Sequence, residues 1–326
     1  MLLKPAQARA LYEDALQNGY AILAVNADSP AALRDVLEAA RQTEAPIIIE
    51  TSLWQLEGHS FGAGDAILGL KSYLAFLAAL CESEKLAAVP LVFHTDHIKG
   101  PQTMEIIQAA IQGRKLGETL LRASSISLDS VEWDTEENIA QLCRLCHFAH
   151  ENGFDMTLEA EAGVDDGLTD EDTTRRIVGE VEARYPQFLA LWAPGVGTQH
   201  GLGGANNFSA SHVAFQRDLA RELTGRDIGI ALHGSSGLSA QNLREAVKAG
   251  VAKVNWSSES LLLRAQAAQE FFTQNEALLK GPKKAEWKLA AMDNGLASFV
   301  SSRYVPTVCE RIEILGGAGQ AAHFVP

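Results

Sequence analysis

Val89-Pro90-Leu91-Val92-Phe93-His94-Thr95-Asp96-His97 carries an apolar strand straight into a cluster of ionisable groups. The first five residues read as a buried β-strand. The next four put two imidazoles and a carboxylate where that strand runs out into a loop. Strand side chains alternate between faces, so His94 and Asp96 share one face and His97 falls at the turn beyond them. A lone histidine there is most often a hydrogen-bonded structural residue. Three ionisable groups within four positions are a different matter, because burying them without partners is costly. A metal site or an acid–base site accounts for them.

Apolar, β-branched runs of the same kind recur along the chain. They begin at Ala21, Pro46, Val89, Ser124, Asp155, Phe188, Ile228 and Val251. Helix-patterned stretches lie between them, among them 30–43, 102–116, 135–152, 211–223 and 239–249. Eight strands alternating with helices predict an α/β fold, a parallel sheet closed as a single (β/α)8 TIM barrel. An extra N-terminal helix and a C-terminal helical extension flank it. The competing fold is a doubly wound open sheet. Against it, the first strand is followed by Asn26-Ala27-Asp28-Ser29-Pro30, with no Gly-x-Gly-x-x-Gly.

The polar residues support the barrel independently. Asn26, Ser52, Asp96 with His97, Asp129, Glu159 with Glu161, His200, His233 and Asn255 all fall at or just past predicted strand ends. That rim carries the active site in barrel enzymes. Any one of these residues could be an ordinary strand-end cap; their recurrence on strand after strand argues for a site.

The 326 residues and 47% hydrophobic content suit a large core, and α/β barrels of ~250 residues or more form one domain. No linker-like or low-complexity segment divides the chain, so one domain over 1–326 is expected. Net charge is 27 − 41 = −14, which argues against nucleic acid or an anionic membrane as partner. A small anionic substrate stays compatible, since a few local donors can hold a phosphate. No apolar run approaches the ~20 residues of a membrane span, and the N-terminal residues lack a signal-peptide core. The cytoplasm is the expected compartment.

Cysteines at 81, 143, 146 and 309 form no secreted disulfide framework. Cys143-Arg144-Leu145-Cys146-His147 does match the haem-attachment pattern C-x-x-C-H. It lies within an amphipathic helix pattern, with both cysteines on the apolar side beside Ile139, Leu142 and Ala149. A structural helix is the preferred reading.

His97, His200 and His233 each end a different strand, so closing the barrel can bring three imidazoles together. Three protein ligands with an open position is the usual design of a catalytic zinc centre, and Glu161 offers a fourth or alternative ligand. The histidines at 59, 147, 150, 212 and 323 fall on predicted loops or helices and read as surface or structural. Two proposed ligands open glycine-rich segments, His200-Gly201-Leu202-Gly203-Gly204 and His233-Gly234-Ser235-Ser236-Gly237. Loops after the seventh and eighth barrel strands often bind phosphate through backbone N–H groups and hydroxyls. Gly-Ser-Ser-Gly alone would be an ordinary turn; beside a candidate metal ligand, a phosphate site is the stronger reading.

Taken together, these blocks resemble the class II, metal-dependent ketose-bisphosphate aldolases, the family of fructose- and tagatose-bisphosphate aldolases. The resemblance runs from about residue 19 to 259, with an echo at 310–316. It rests on Ala24-Val25-Asn26, His94-Thr95-Asp96-His97, Ser127-Leu128-Asp129, Thr157-Leu158-Glu159-Ala160-Glu161-Ala162-Gly163, Gly197-Thr198-Gln199-His200-Gly201, Leu232-His233-Gly234-Ser235-Ser236-Gly237 and Lys253-Val254-Asn255. The resemblance implies that His97, His200 and His233 hold Zn2+ or another divalent metal, with Glu161 in an alternative metal position. It implies Asp96 as general acid–base, Asp129 as an orienting residue, and Asn26 and Ser52 as substrate contacts. Gly201, Gly234, Ser236, Asn255 and Ser258 would bind the ketose 1-phosphate, with a monovalent cation expected nearby. The implied reaction forms or cleaves a ketose 1-phosphate or 1,6-bisphosphate through dihydroxyacetone phosphate. No lysine Schiff base is needed, so Lys253 has no catalytic claim. A homodimer or homotetramer is expected from the resemblance alone.

The chain departs from the family pattern in three places. The usual Gly-Gly-x-Glu-Asp after the fifth strand is replaced by residues 163–172, where Glu171 and Asp166 are both candidates for the second proton-transfer group. The usual Asn-x-Asp-Thr becomes Asn255-Trp256-Ser257-Ser258. No basic residue for a distal phosphate is evident; Arg303 is the nearest guess. Two rival functions follow: a non-catalytic aldolase-like subunit that stabilises a partner enzyme, and a metal-dependent barrel hydrolase.

Overall fold

In the computed structural model, helix α1 (Pro5–Asn18) precedes the first strand, β1 (Ile22–Asn26). The order continues α2 (Pro30–Gln42), β2 (Ile47–Thr51), α3 (Leu53–Glu57), α4 (Ala66–Cys81), β3 (Leu91–Thr95) and α5 (Thr103–Gln112). A short hairpin, β4 (Arg114–Leu116) and β5 (Thr119–Leu121), leads into β6 (Ser125–Ser127) and α6 (Thr135–Glu151). Then come β7 (Leu158–Glu161), α7 (Glu171–Arg184), β8 (Leu189–Ala193), α8 (Ala210–Thr224), β9 (Gly229–Leu232), α9 (Ala240–Ala249) and β10 (Val251–Trp256). Helices α10 (Ser258–Gln274), α11 (Glu276–Lys280), α12 (Glu286–Ala291) and α13 (Asp293–Ile314) complete the chain. The structure describes residues 1–130, 132–154, 157–162, 167–203, 207–281, 286–322 and 324.

Eight strands close into a parallel barrel in the order β1-β10-β9-β8-β7-β6-β3-β2. All eight predicted strands are present and the (β/α)8 architecture is met. The predicted helix over 102–116 overruns. Gly113 ends α5 with φ +66, and a Cβ there would meet the Leu121 carbonyl at 2.3 Å, so the chain turns into the hairpin instead. No described helix is long and apolar enough to cross a membrane.

The helices begin where short polar side chains can cap them. Ser29, Asp134, Asp170, Ser209 and Ser239 each accept a hydrogen bond from a backbone N–H in the first turn of the helix that follows. Outward strand residues such as Leu23, Val25, Ile47, Ile49 and Phe93 pack against helix residues such as Leu33, Val36, Leu70 and Ile106. Each such side chain contributes roughly 1.5–3 kcal/mol by leaving water. A second cluster lies inside the ring, where Ala8, Leu11, Tyr12 and Ala15 of α1 join Ile22, Ala24, Ile48, Val92, Ala231 and Ala252. Helix α1 thereby plugs the N-terminal mouth and leaves the C-terminal mouth open. The Cys143–His147 segment lies on α6 with Cys146 in the core and every cysteine free, as the structural reading predicts.

A candidate metal centre at the C-terminal mouth

The open mouth holds a cavity of about 440 Å3. Asn26, Ser52, Asp96, His97, Asp129 and Glu161 line it from β1, β2, β3, β6 and β7. His200, Gly201, His233, Gly234, Ser236, Asn255 and Ser258 line it from the loops and strand ends of β8, β9 and β10. Of the candidates, Glu171 stands apart. Asp170 caps α7, which leaves Glu171 in the first helical turn, half exposed and ion-paired to Arg175 at 2.7 Å, outside the cavity lining. Asp166 lies outside the described residues, and so does His323. Arg303 faces solvent and pairs with Glu270 at 2.8 Å, so it is not a lining residue.

His97, His200 and His233 converge. Ring centroids are 4.8 Å apart for His97 and His200, 5.0 Å for His97 and His233, and 5.8 Å for His200 and His233. One ring nitrogen from each lies within 4.8 Å of the others. His97 reaches this position through a backbone turn at φ 45, an uncommon conformation for a residue other than glycine. That turn ends the alternation of β3 and swings the imidazole over the mouth.

The imidazoles are oriented from behind. His97 Nδ1 donates to Asp129 Oδ2 at 3.2 Å, which leaves Nε2 facing the cluster. His233 Nε2 donates to Glu159 Oε1 at 2.8 Å, which leaves its Nδ1 facing inward. Such partners fix tautomer and ring orientation at metal sites. Glu161 is buried, and its Oε1 has no hydrogen-bond partner. An orphaned carboxylate oxygen beside the His97 and His233 imidazoles is costly unless something positive meets it. The donor set, nitrogen-rich with one carboxylate, fits a divalent ion such as zinc.

The electrostatics agree. Burial opposes a charged His97, yet Asp96, Asp129 and Glu161 outweigh it and raise its pKa to about 10. Burial, reinforced by Asp129 and Glu159 against the nearby His233 and His97, lifts Glu161 to about 7. The pocket thus pulls positive charge toward its centre.

Asp96 is 1% exposed and is held by two amides. Asn26 Nδ2 donates to its Oδ2 at 2.9 Å and Asn255 Nδ2 to its Oδ1 at 3.0 Å. Burial works against its charge, but His97, Lys253, His233 and the Asn26 amide together hold it well below the usual carboxylate range. It is an anion at neutral pH. Asn255 accordingly meets Asp96 with its N–H, while its Oδ1 stays buried without a partner and open to a hydroxyl.

Below the rim lies a charged layer whose interactions were not apparent from sequence. Lys253 is fully buried, with Nζ 2.9 Å from Glu159 Oε2 and 3.2 Å from Glu50 Oε2. His94 Nδ1 donates to Ser125 Oγ at 2.9 Å, and burial followed by the Lys253 charge lowers its pKa to about 3. His94 is a neutral supporting residue. Lys253 is the counter-ion that holds Glu159 behind His233. Two residues before Asn255, Lys253 shares its inward face, and a register shift between Val251 and Lys253 turns Val251 outward.

On the phosphate side, Gly234 has φ +63, and a Cβ would meet the Gln199 carbonyl at 2.7 Å, so the turn needs glycine. Ser236 Oγ accepts from the Glu259 N–H at 3.1 Å, which leaves its own proton free to donate.

A (β/α)8 barrel with three convergent imidazoles, an ionised aspartate and a glycine–serine loop on one rim defines a class: barrel enzymes that act on small polar substrates with a divalent ion. Comparison with known proteins makes the class specific. Residues 6–320 match the family described as fructose-bisphosphate aldolase class-II. The chain is 27% identical over 322 residues to a fructose-bisphosphate aldolase of Streptococcus pyogenes serotype M1, covering 96% of this chain and 98% of the relative. It is 28% identical over 320 residues to that of Streptococcus pneumoniae serotype 4, with the same coverage. The fold is shared with the fructose-bisphosphate aldolase of Campylobacter jejuni, at TM-score 0.82 and 21% identity over 97% of this chain and 96% of that one. An aldolase from Escherichia coli K12 gives TM-score 0.71 at 22% identity over 98% and 100% of the two chains. The chain belongs to the class II fructose-bisphosphate aldolase family, and is a class II aldolase, a carbon–carbon lyase.

Proposed function

We propose that the protein cleaves and forms a ketose 1-phosphate or ketose 1,6-bisphosphate, with dihydroxyacetone phosphate as the common product. His97, His200 and His233 hold the divalent ion in this reading, zinc by donor preference, with Glu161 as an alternative ligand. When bound, the ion supplies Lewis acidity at the substrate carbonyl and its neighbouring hydroxyl.

The chain's own residues supply the rest. Gly201, Gly234, Ser236 and Ser258 receive the 1-phosphate through backbone N–H and hydroxyl donors. Asp96, held by Asn26 and Asn255, takes the proton of the C4 hydroxyl as the C3–C4 bond breaks. The aldehyde half leaves, and the electron pair remains on the dihydroxyacetone phosphate half as an enediolate. Returning a proton to C3 requires a second acid, for which we propose Asp166. Asp129 orients His97, and Ser52 contacts the aldehyde half.

The observation that carries this reading is the pairing of three convergent imidazoles with an aspartate held in place by two amides. The test is metal analysis of purified protein alongside release of dihydroxyacetone phosphate from a ketose-phosphate panel. Chelation should abolish release and a divalent ion should restore it. Metal-loaded protein that releases no dihydroxyacetone phosphate from any member would refute the reading. Stabilisation of a partner aldolase without turnover would then favour the subunit alternative.

A further inference from the structure

Behind the phosphate loop, and outside the cavity lining, lies a buried arginine from the far end of the chain. Arg311 on α13 is 8% exposed. Its Nη2 donates to the Ser235 carbonyl at 2.9 Å and to Ser235 Oγ at 3.1 Å. Its Nη1 donates to Glu259 Oε2 at 2.9 Å. The guanidinium sits 4.8 Å from the Trp256 ring centroid, in cation–π contact.

Those contacts sort the two serines of the loop. Ser235 Oγ donates to the Asn255 carbonyl and accepts from Arg311, so both of its roles are filled inside the protein. Ser236 only accepts, from the Glu259 N–H, and keeps its proton for a ligand. Glu259 itself presents a difficulty. Its Oε2 gathers the Trp256 Nε1 donor at 2.8 Å and the Gly237 N–H at 3.4 Å, so a carboxylate stands directly behind a loop meant for an anion. Arg311 is the charge that offsets it.

We propose that Arg311 is a positioning residue for phosphate binding: it pins the Ser235 backbone and cancels the Glu259 charge, so that Gly234 and Ser236 can receive a phosphate. The inference rests on the reading of this rim as a ketose-phosphate site. It makes the C-terminal helix α13, which packs against α2 and α10 away from the barrel mouth, a part of the phosphate machinery.

The test is calorimetric binding of dihydroxyacetone phosphate to the metal-loaded full chain, together with KM and kcat on the best ketose phosphate. Arg311→Met should weaken dihydroxyacetone phosphate binding and raise KM by about 10- to 100-fold, the loss expected for charge-assisted hydrogen bonds. Its kcat should stay within about threefold, because the reacting atoms are not touched. Arg311→Lys, which keeps the charge and folds more readily, should fall between. Arg311→Met combined with Glu259→Gln should bind more tightly than Arg311→Met alone, which a merely structural arginine would not produce. Unchanged binding and KM in either single variant, or a fall in kcat with KM unmoved, overturns the proposal. A wild-type protein that neither binds dihydroxyacetone phosphate nor cleaves the panel overturns the ketose-phosphate reading, and this inference with it.

Discussion

The two halves of the barrel interior are built on opposite principles. Two residues up each strand, the same inward face changes character: Ile22 and Ala24 give way to Asn26, Ile48 to Glu50, and Val92 to His94 and Asp96. The lower half, closed by α1, is apolar and held together by burial. The upper half opens to the rim, yet beneath it Glu50, His94, Glu159 and Lys253 are each 0% exposed. Its cohesion comes from charge compensation, which stabilises little in net terms but fixes geometry. The lesson is that the site is not laid on top of an apolar barrel. Its support reaches halfway down the interior, and the division should show when single residues on either side are changed.

The harshest test is Lys253→Met. It leaves Glu159, which Lys253 and the His233 hydrogen bond hold below the usual carboxylate range despite burial, without its main counter-charge. Breaking a buried pair by removing one partner costs about 3–5 kcal/mol. Denaturant unfolding should register that loss. Adding Glu159→Gln and Glu50→Gln to the variant should recover most of it. Stability within about 1 kcal/mol of wild type would mean that the upper half is not an ionic structure at all.

The same division explains what could be read from sequence. The barrel was legible because each strand is a short apolar run bounded by turn signals, and His97, His200, His233 and Asp96 were legible because they stand at the ends of those runs. The layer beneath depends on cross-strand register, with Glu50 opposite His94 and His94 opposite Ser125, which no local pattern encodes. Arg311 meets Ser235 across 76 positions of chain, so nothing near either residue announces the contact. Glu171 lies outside the cavity lining for a local reason: Asp170 is the helix cap, and the first helical residue after it turns outward. The haem-like cysteine pattern falls on α6 with Cys146 in the core, as its helical periodicity predicts.

A subtler test uses pH. Burial, with Asp96 adding to it and Lys253 opposing, raises the Glu50 pKa from 4.5 to about 8. Between those values the folded protein keeps a proton that the unfolded chain has released. Stability contributed at Glu50 therefore falls as pH rises through that window and levels off above it. Glu50→Gln stays neutral throughout and lacks this slope. Measured at about pH 5.5 and about pH 8, wild type should lose stability relative to the variant as pH rises. Parallel profiles, or a wild type that gains on the variant, would show that Glu50 is already ionised and paired with Lys253.

The smallest effect is expected just two residues earlier, at Ile48. Ile48 faces the same interior but belongs to the apolar cluster with Tyr12 and Val92. Ile48→Val removes one buried methylene and should cost about 0.5–1.5 kcal/mol. Ile48 is not among the residues that line the cavity, so KM and kcat should stay within about twofold of wild type. The measurement is decisive in combination with the others. A kinetic defect at Ile48 as large as its stability defect would mean that the lower half also tunes the site, and that the boundary between Ile48 and Glu50 is not where the working part of the barrel begins.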